Sequence, residues 1–210
     1  MNPISRAPRK GQPGTDTRQG LTTVNIVQAR KTPPAAAARN GEAIAVRHAE
    51  APDADALHAI FIDPEVMHWL IDVPYVPQTQ TRKQVVELPD GRYMLVACGG
   101  AEVVGALGFG VNTAPRMRHV GRLGPIAVAR AWQGCGVGSA LMRAAIDLAD
   151  NWLNLVRLEL LVIDGNDAAI GLYRRFGFEI EGTLRAFGFQ AGRYVDVHTM
   201  ARLRRVAVQA

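Results

Sequence analysis

The run Gln133-Gly134-Cys135-Gly136-Val137-Gly138-Ser139 places three glycines on alternate positions just ahead of an amphipathic stretch. Glycine lets the backbone turn tightly and brings consecutive N–H groups close to a ligand. Amides at the positive end of a helix dipole form an anion site, with a phosphate or pyrophosphate as the natural guest. The same glycines serve equally as a turn that packs a helix on a strand, so the spacing alone leaves both readings open. No Gly-Lys-Ser/Thr closes the loop, which excludes a P-loop. A dinucleotide fingerprint fits poorly, because counting G-x-G-x-x-G from Gly134 meets Ser139 and from Gly136 meets Leu141. Glu159, 23 positions beyond Gly136, keeps that alternative open as a ribose-binding acid.

A second constellation follows about 30 residues later, Asn166-Asp167-Ala168-Ala169-Ile170-Gly171-Leu172-Tyr173-Arg174-Arg175-Phe176-Gly177-Phe178. Asn166 falls at a helix start, where its side chain caps the helix or reaches a ligand. Tyr173 lies two turns further up the same face; its phenol is either a proton donor or an amphipathic core residue. Taken together the two segments resemble the GNAT superfamily of acyl-CoA-dependent N-acetyltransferases, whose pattern is a strand, Q/R-x-x-G-x-G/A opening a helix, another strand, then N-x-x-A-x-x-x-Y-x-x-x-G-F. Gln133, Gly136, Gly138, Asn166, Ala169, Tyr173, Gly177 and Phe178 stand in register with it. Further segments, among them His48-Ala49-Glu50, Ser139 to Arg143, Gly177 to Thr183 and Gly192 to Asp196, are similar to bacterial L-amino-acid N-acetyltransferases of the YhhY type. The resemblance covers residues 43–203.

That resemblance implies acetyl-CoA as co-substrate, no metal, and transfer of the acetyl group to the primary amine of a small substrate, foremost the α-amine of a free L-amino acid. The alternatives are a protein N-terminus, a polyamine or an amine-bearing antibiotic as acceptor, or a CoA-binding module without catalysis. It further implies that backbone groups of Ile126, Ala127 and Val128 pair with the pantetheine arm, and that amides of Gly134, Cys135, Gly136, Val137, Gly138 and Ser139, behind Gln133, hold the pyrophosphate. Asn166 would bond the cofactor arm, a backbone N–H near Val128 would meet the oxyanion, and Tyr173 would be the general acid toward the departing thiolate. A phenol and a thiol have reference pKa values of about 10 and 8.5, close enough for that partnership. Glu159 is the candidate general base, with His119 beside it. Arg116, Arg118 and Arg122 are candidates for a substrate carboxylate, and Asp196 and His198 for the border of the acceptor pocket. Trp132 and Trp152 read as packing residues. A homodimer is expected from the superfamily.

The elements that must position these groups alternate strand and helix. Strands are read at 44–48, 93–98, 103–111, up to 128, 157–163, 178–185 and 194–203, the last two joined through Gly188 and Gly192. Helices are read from Pro52 through Phe61, at 64–70, at 80–88, at 167–176, and most clearly at 136–152, where Val137, Ala140, Leu141, Ala144, Ala145 and Leu148 share one face. Gly124-Pro125 should break or bulge its strand, since proline has no N–H to donate. The fold class is α/β (α+β): a mixed, mostly antiparallel central sheet flanked by helices.

Length and charge agree with one such domain. The chain has 210 residues, 48% of them apolar, enough for a single core. Residues 1–41 hold seven basic side chains and one acid, whereas residues 42–210 hold 17 basic and 18 acidic ones. The positive charge thus belongs to an arm rich in proline, glycine and alanine that reads as disordered, and 42–210 as the domain. A nearly neutral domain disfavours nucleic acid. Two cysteines, Cys98 and Cys135, make no disulfide framework. No apolar run approaches the roughly 20 residues of a membrane span. A cytoplasmic protein without a membrane partner is expected.

Overall fold

A computed structural model describes residues 43–204. The arm read at 1–41 and the end of the chain past 204 lie outside the described residues. Strands β1 (Ile44–His48), β2 (Arg92–Gly99), β3 (Glu102–Val111), β4 (Val120–Val128), β5 (Arg157–Ile163), β6 (Glu179–Gln190) and β7 (Arg193–Leu203) form one sheet in the order β1-β2-β3-β4-β5-β7-β6. Every neighbouring pair is antiparallel except β4 and β5. Helices α1 (Ala54–Phe61), α2 (Pro64–Met67) and α3 (Gln78–Val86) precede β2; α4 (Val137–Asp147) links β4 to β5, and α5 (Asp167–Arg175) links β5 to β6.

Strand alternation divides the core between two faces. In β2, Leu95 and Ala97 point into the larger cluster with Leu141 and Met142 of α4 and Ile170 and Tyr173 of α5. Met94, Val96 and Cys98 point the other way, onto Leu57 of α1 and Val85 of α3. Buried on both faces, β2 reads in the sequence as a continuous apolar run rather than an alternating one. Val66 of α2 and Leu70, which follows that helix, pack on Ala127 of β4.

Two departures of the sheet from regularity make the site. Opposite Gly108 of β3, strand β4 carries two residues, Gly124 and Pro125, because Leu107 pairs with Ile126 while Phe109 pairs with Leu123. This is the bulge that the missing proline N–H demands. On its other edge β4 pairs with β5 only at Val120–Arg157, Gly121–Leu158 and Arg122–Glu159. Beyond that rung the strands part, leaving Ile126, Ala127 and Val128 with β3 on one side and no strand on the other.

Three expectations need correction. The helix read through Trp152 is α-helical only to Asp147 and ends in a π-turn, Leu148–Trp152. Arg202 clasps that turn through both oxygens of Asp150, at 2.9 and 2.7 Å, a tertiary tie that helical periodicity does not encode. Trp152 is 77% exposed rather than packed. Gly188 sits inside β6, which continues to Gln190, so the final turn is made at Ala191 and Gly192 alone. Trp132, by contrast, is 2% exposed and lies within the larger core cluster.

Candidate active site

The site is a slot of about 280 Å³ that runs through the opening between β4 and β5. On the α5 face it is lined by Asn166 and Tyr173; on the opposite face by Trp69 to Asp72, which follow α2, and by Arg122. Gly124, Pro125 and Ile126 form the β4 wall. A second cavity of about 480 Å³, mostly apolar and lined by residues such as Phe61, Met67, Val76, Tyr93 and Phe109, lies under α1 and α3. The two meet at Asp72, Gly124 and Pro125, which line both.

At one end of β4 the chain turns into α4 through Gly134 and Gly136, with φ of 77° and 84°. Side-chain-bearing residues pay about 1 kcal/mol or more to adopt that region, which explains both glycines. Gly136 is the N-cap of α4, and no side chain caps it. The amides of Val137, Gly138 and Ser139 therefore have no intrahelical acceptor and are free for an anion. The third glycine has a different reason, since a β-carbon on Gly138 would lie 3.0 Å from the side chain of Leu172 in α5 and crowd it. Val137 is buried, so its backbone alone faces the loop. The Cys135 amide bonds Trp132 O at 3.3 Å and is already engaged. Gln133 Nε2 donates to Val128 O at 3.3 Å, pinning the loop to the end of β4.

Asn166 caps α5 by accepting from Ala169 N at 3.2 Å, which fixes its side chain at the slot and leaves its amide donor to a ligand. Two turns on, Tyr173 is 6% exposed, in tilted contact with Phe178 at 6.2 Å. Burial pushes its phenol up to about 12, because the apolar wall disfavours phenolate. Its hydroxyl has no hydrogen-bond partner among the described residues and borders the slot.

Glu159 stands otherwise than a free base would. Its Oε1 accepts from Arg122 Nε and Nη2 at 3.2 and 2.8 Å, and its Oε2 from Arg157 Nε at 3.3 Å. Arg157 in turn grips Glu181, whose carboxyl it holds below the usual range. Both Glu159 oxygens are thus occupied, and Glu159 does not line the slot, whereas its partner Arg122 does. The carboxylate that does line the slot is Asp72, which no motif singles out; it comes to the site only through the tertiary placement of the segment after α2. Arg116 and Arg118 lie in the exposed connection before β4 and line neither cavity. His119 uses its carbonyl to receive Val156 N and Arg157 N. Asp196 holds Ala186 N at 2.8 Å, and His198 bridges Asp164 and Thr183 at 3.1 and 2.9 Å; neither borders the slot.

Among the described residues no group of three or more His, Cys, Asp or Glu could hold a metal ion, and no helix is long and apolar enough to cross a membrane. The unpaired edge of β4 and the uncapped start of α4 fit a thioester cofactor with an amide-bearing arm and a diphosphate: the first offers strand-like hydrogen bonds, the second an anion seat.

Comparison with known proteins bears on the family and the fold. A match to the acetyltransferase (GNAT) family spans residues 54–178. Over 161 residues the chain is 41% identical to the L-amino acid N-acetyltransferase AaaT of Escherichia coli K12, covering 77% of this chain and 98% of that protein. Identity to the spermidine N(1)-acetyltransferase of the same organism is 26% over 160 residues, 74% of this chain and 83% of that one. The fold matches that of Salmonella typhimurium yncA, solved with acetyl-CoA, with a TM-score of 0.66 at 22% identity, over 80% of this chain and 99% of that one.

Proposed function

The chain belongs to the GNAT acetyltransferase family, and from that premise we propose that it acetylates the α-amine of a free L-amino acid. The observation that carries this reading is the slot through the sheet: a buried phenol and an anion-binding helix start stand on one side, and an acid, a cation and an apolar cavity on the other. The 41% identity to an L-amino acid N-acetyltransferase supports the acceptor class, and the apolar cavity supports an acceptor with an apolar side chain.

Acetyl-CoA, when bound, supplies an acyl group activated as a thioester. The chain's own residues do the rest. Amides of Val137 to Ser139 bind the diphosphate, and Asn166 with the free edge of Ile126–Val128 orients the arm. An N–H near Val128 meets the charge that develops on the carbonyl oxygen. Holding amine and thioester in line removes much of the entropy cost of the encounter. Asp72, at the junction of the two cavities, receives the ammonium and takes one proton as nitrogen attacks; the second nitrogen proton leaves to solvent as the amide forms. Tyr173 donates its phenolic proton to sulfur as the C–S bond breaks and regains one from solvent, and Glu159 acts through Arg122. The homodimer expected for the family has a surface suited to it in the exposed Phe187, Phe189 and Tyr194 of the edge hairpin β6–β7; sedimentation equilibrium of the full chain tests it, and a monomer refutes it.

Free-thiol release from acetyl-CoA across the amino acids, a peptide N-terminus, spermidine and an aminoglycoside tests the function. Turnover with free amino acids is the expected result. Turnover confined to another class reassigns the acceptor, and binding of CoA without turnover of any amine removes the catalytic reading.

A further inference from the structure

Arg122 and Glu159 are paired on the last rung that joins β4 to β5. They therefore sit at the fork where the slot opens. Among the described residues lining the slot, Arg122 is the one cation and Asp72 the one carboxylate. Two of the five guanidinium N–H donors of Arg122, on Nε and Nη2, are spent on Glu159 Oε1, which leaves three, including both on Nη1. Glu159 cannot turn away to follow them, since Arg157 holds its other oxygen. The guanidinium plane is thus fixed from behind while 63% of the side chain stays exposed.

A fixed, half-used guanidinium asks for a planar anion. It is not a second seat for the cofactor's diphosphate. The anion seat at Val137 to Ser139 follows the far end of β4, and six residues of strand from Arg122 to Val128 already span about 20 Å. Between the two lies the bulge at Gly124-Pro125, where the cofactor slot and the apolar cavity join. An anion on Arg122 must accordingly belong to the acceptor. Asp72, on the same face of the slot, supplies the opposite charge, so the slot presents one site for an anion and one for a cation. That is the pattern of an α-amino acid zwitterion rather than of a polyamine, which offers only cations.

We propose that Arg122, aimed by Glu159, binds the α-carboxylate of the acceptor and makes the enzyme selective for amino acids over other primary amines. This rests on the acceptor class proposed above. Arg122 is the specificity residue; Glu159 is a positioning residue that acts through it.

The test uses the full chain and measures kcat/KM for the best of the twenty amino acids and for its carboxamide, which keeps amine and side chain but loses the charge. The wild type should favour the acid by about 100-fold, and Arg122→Gln should reduce that ratio to about three-fold or less, through KM for the acceptor. Arg122→Lys and Glu159→Gln should fall between, at about ten-fold, because each keeps a cation but loses the fixed fork. KM for acetyl-CoA should not move, which separates recognition from a general loosening of β4 on β5. A wild-type ratio retained in Arg122→Gln, or an equal loss for acid and amide, overturns the inference alone. A wild type that turns over no free amino acid overturns the acceptor class, and this inference with it.

Discussion

Gly108 lies so close to Gly124 that a β-carbon on it would stand 2.5 Å from the Gly124 carbonyl oxygen. The two glycines face each other across the bulge that parts β4 from regular pairing, and the contact is backbone against side chain, with nothing flexible to yield. Gly108→Ala must therefore displace β4 at the junction of slot and cavity. We expect a loss of about 1–3 kcal/mol in stability, as for other overpacked sites, accompanied by a fall of at least about ten-fold in kcat/KM, because misplacement of reacting groups by an ångström is costly. Thermal melting and steady-state kinetics measure the two. Full activity in Gly108→Ala would show that the bulge does not set the slot.

Tyr173→Phe removes one oxygen from a buried position whose ring packing is unchanged. If the phenol protonates the leaving sulfur, kcat should fall by about 100-fold while KM for acetyl-CoA changes little. The direction of its titration adds a second test. Burial raises the phenol to about 12, so it keeps its proton where an ordinary tyrosine, near 10, would lose it. The wild-type rate should therefore show no alkaline decline from this group up to about pH 10. A decline in that range that disappears in Tyr173→Phe would contradict the raised value.

How far the sequence foretold this site depends on whether a residue's place follows from local rules. Gly134, Gly136, Asn166 and Tyr173 were legible because each is fixed within its own strand-to-helix turn: positive φ, an uncapped first turn, a cap, and two helical turns. Gly124-Pro125 was legible from the missing N–H. The π-turn at Leu148–Trp152 was not, because its support comes from Arg202, some 50 residues away in sequence. Glu159 was read as a candidate base because spacing cannot reveal that Arg122 and Arg157 converge on it from β4 and its own strand. Asp72 was invisible for the converse reason: it belongs to no periodic element and gains meaning only where two cavities meet.

Asp53 ties the turn ahead of α1 to β1. Its carboxylate accepts from Arg47 at 2.7 and 2.8 Å and from Glu50 N at 2.7 Å, and it is 7% exposed. Arg47 holds the carboxyl below its ordinary value of 3.8. A depressed carboxylate contributes stability that is complete above the unfolded-state value and is lost as pH falls through the folded one. Asp53→Asn should cost about 2 kcal/mol at pH 7, and the gap from wild type should begin to narrow below about pH 4 and close only as pH passes the lowered value of the native carboxyl. Denaturant titrations at pH 7, 5 and 3 follow it. A gap independent of pH would mean that shape rather than charge is at stake.

Among the described residues Asp72 is the one carboxylate that lines both cavities. The α-amine of a free amino acid, more basic than a chain N-terminus at about 8, arrives almost wholly as ammonium at neutral pH and cannot attack until it loses a proton. Transfer from such an ammonium to an aspartate in water is uphill by more than about four pKa units, or more than about 5 kcal/mol. That is modest beside the barrier of about 16 kcal/mol that corresponds to ten turnovers per second, and attack in concert with transfer lowers it further. Asp72→Asn keeps the shape and removes the charge. At pH 7 its kcat/KM for the amino-acid acceptor should be lower by about 10- to 30-fold, and at pH 9.5, where solvent has already deprotonated much of the amine, the deficit should shrink to about two-fold. KM for acetyl-CoA should be unaffected. An equal deficit at both pH values would mean that Asp72 shapes the junction without handling the proton, and the base would then have to be sought in solvent that enters from the exposed loop after α2.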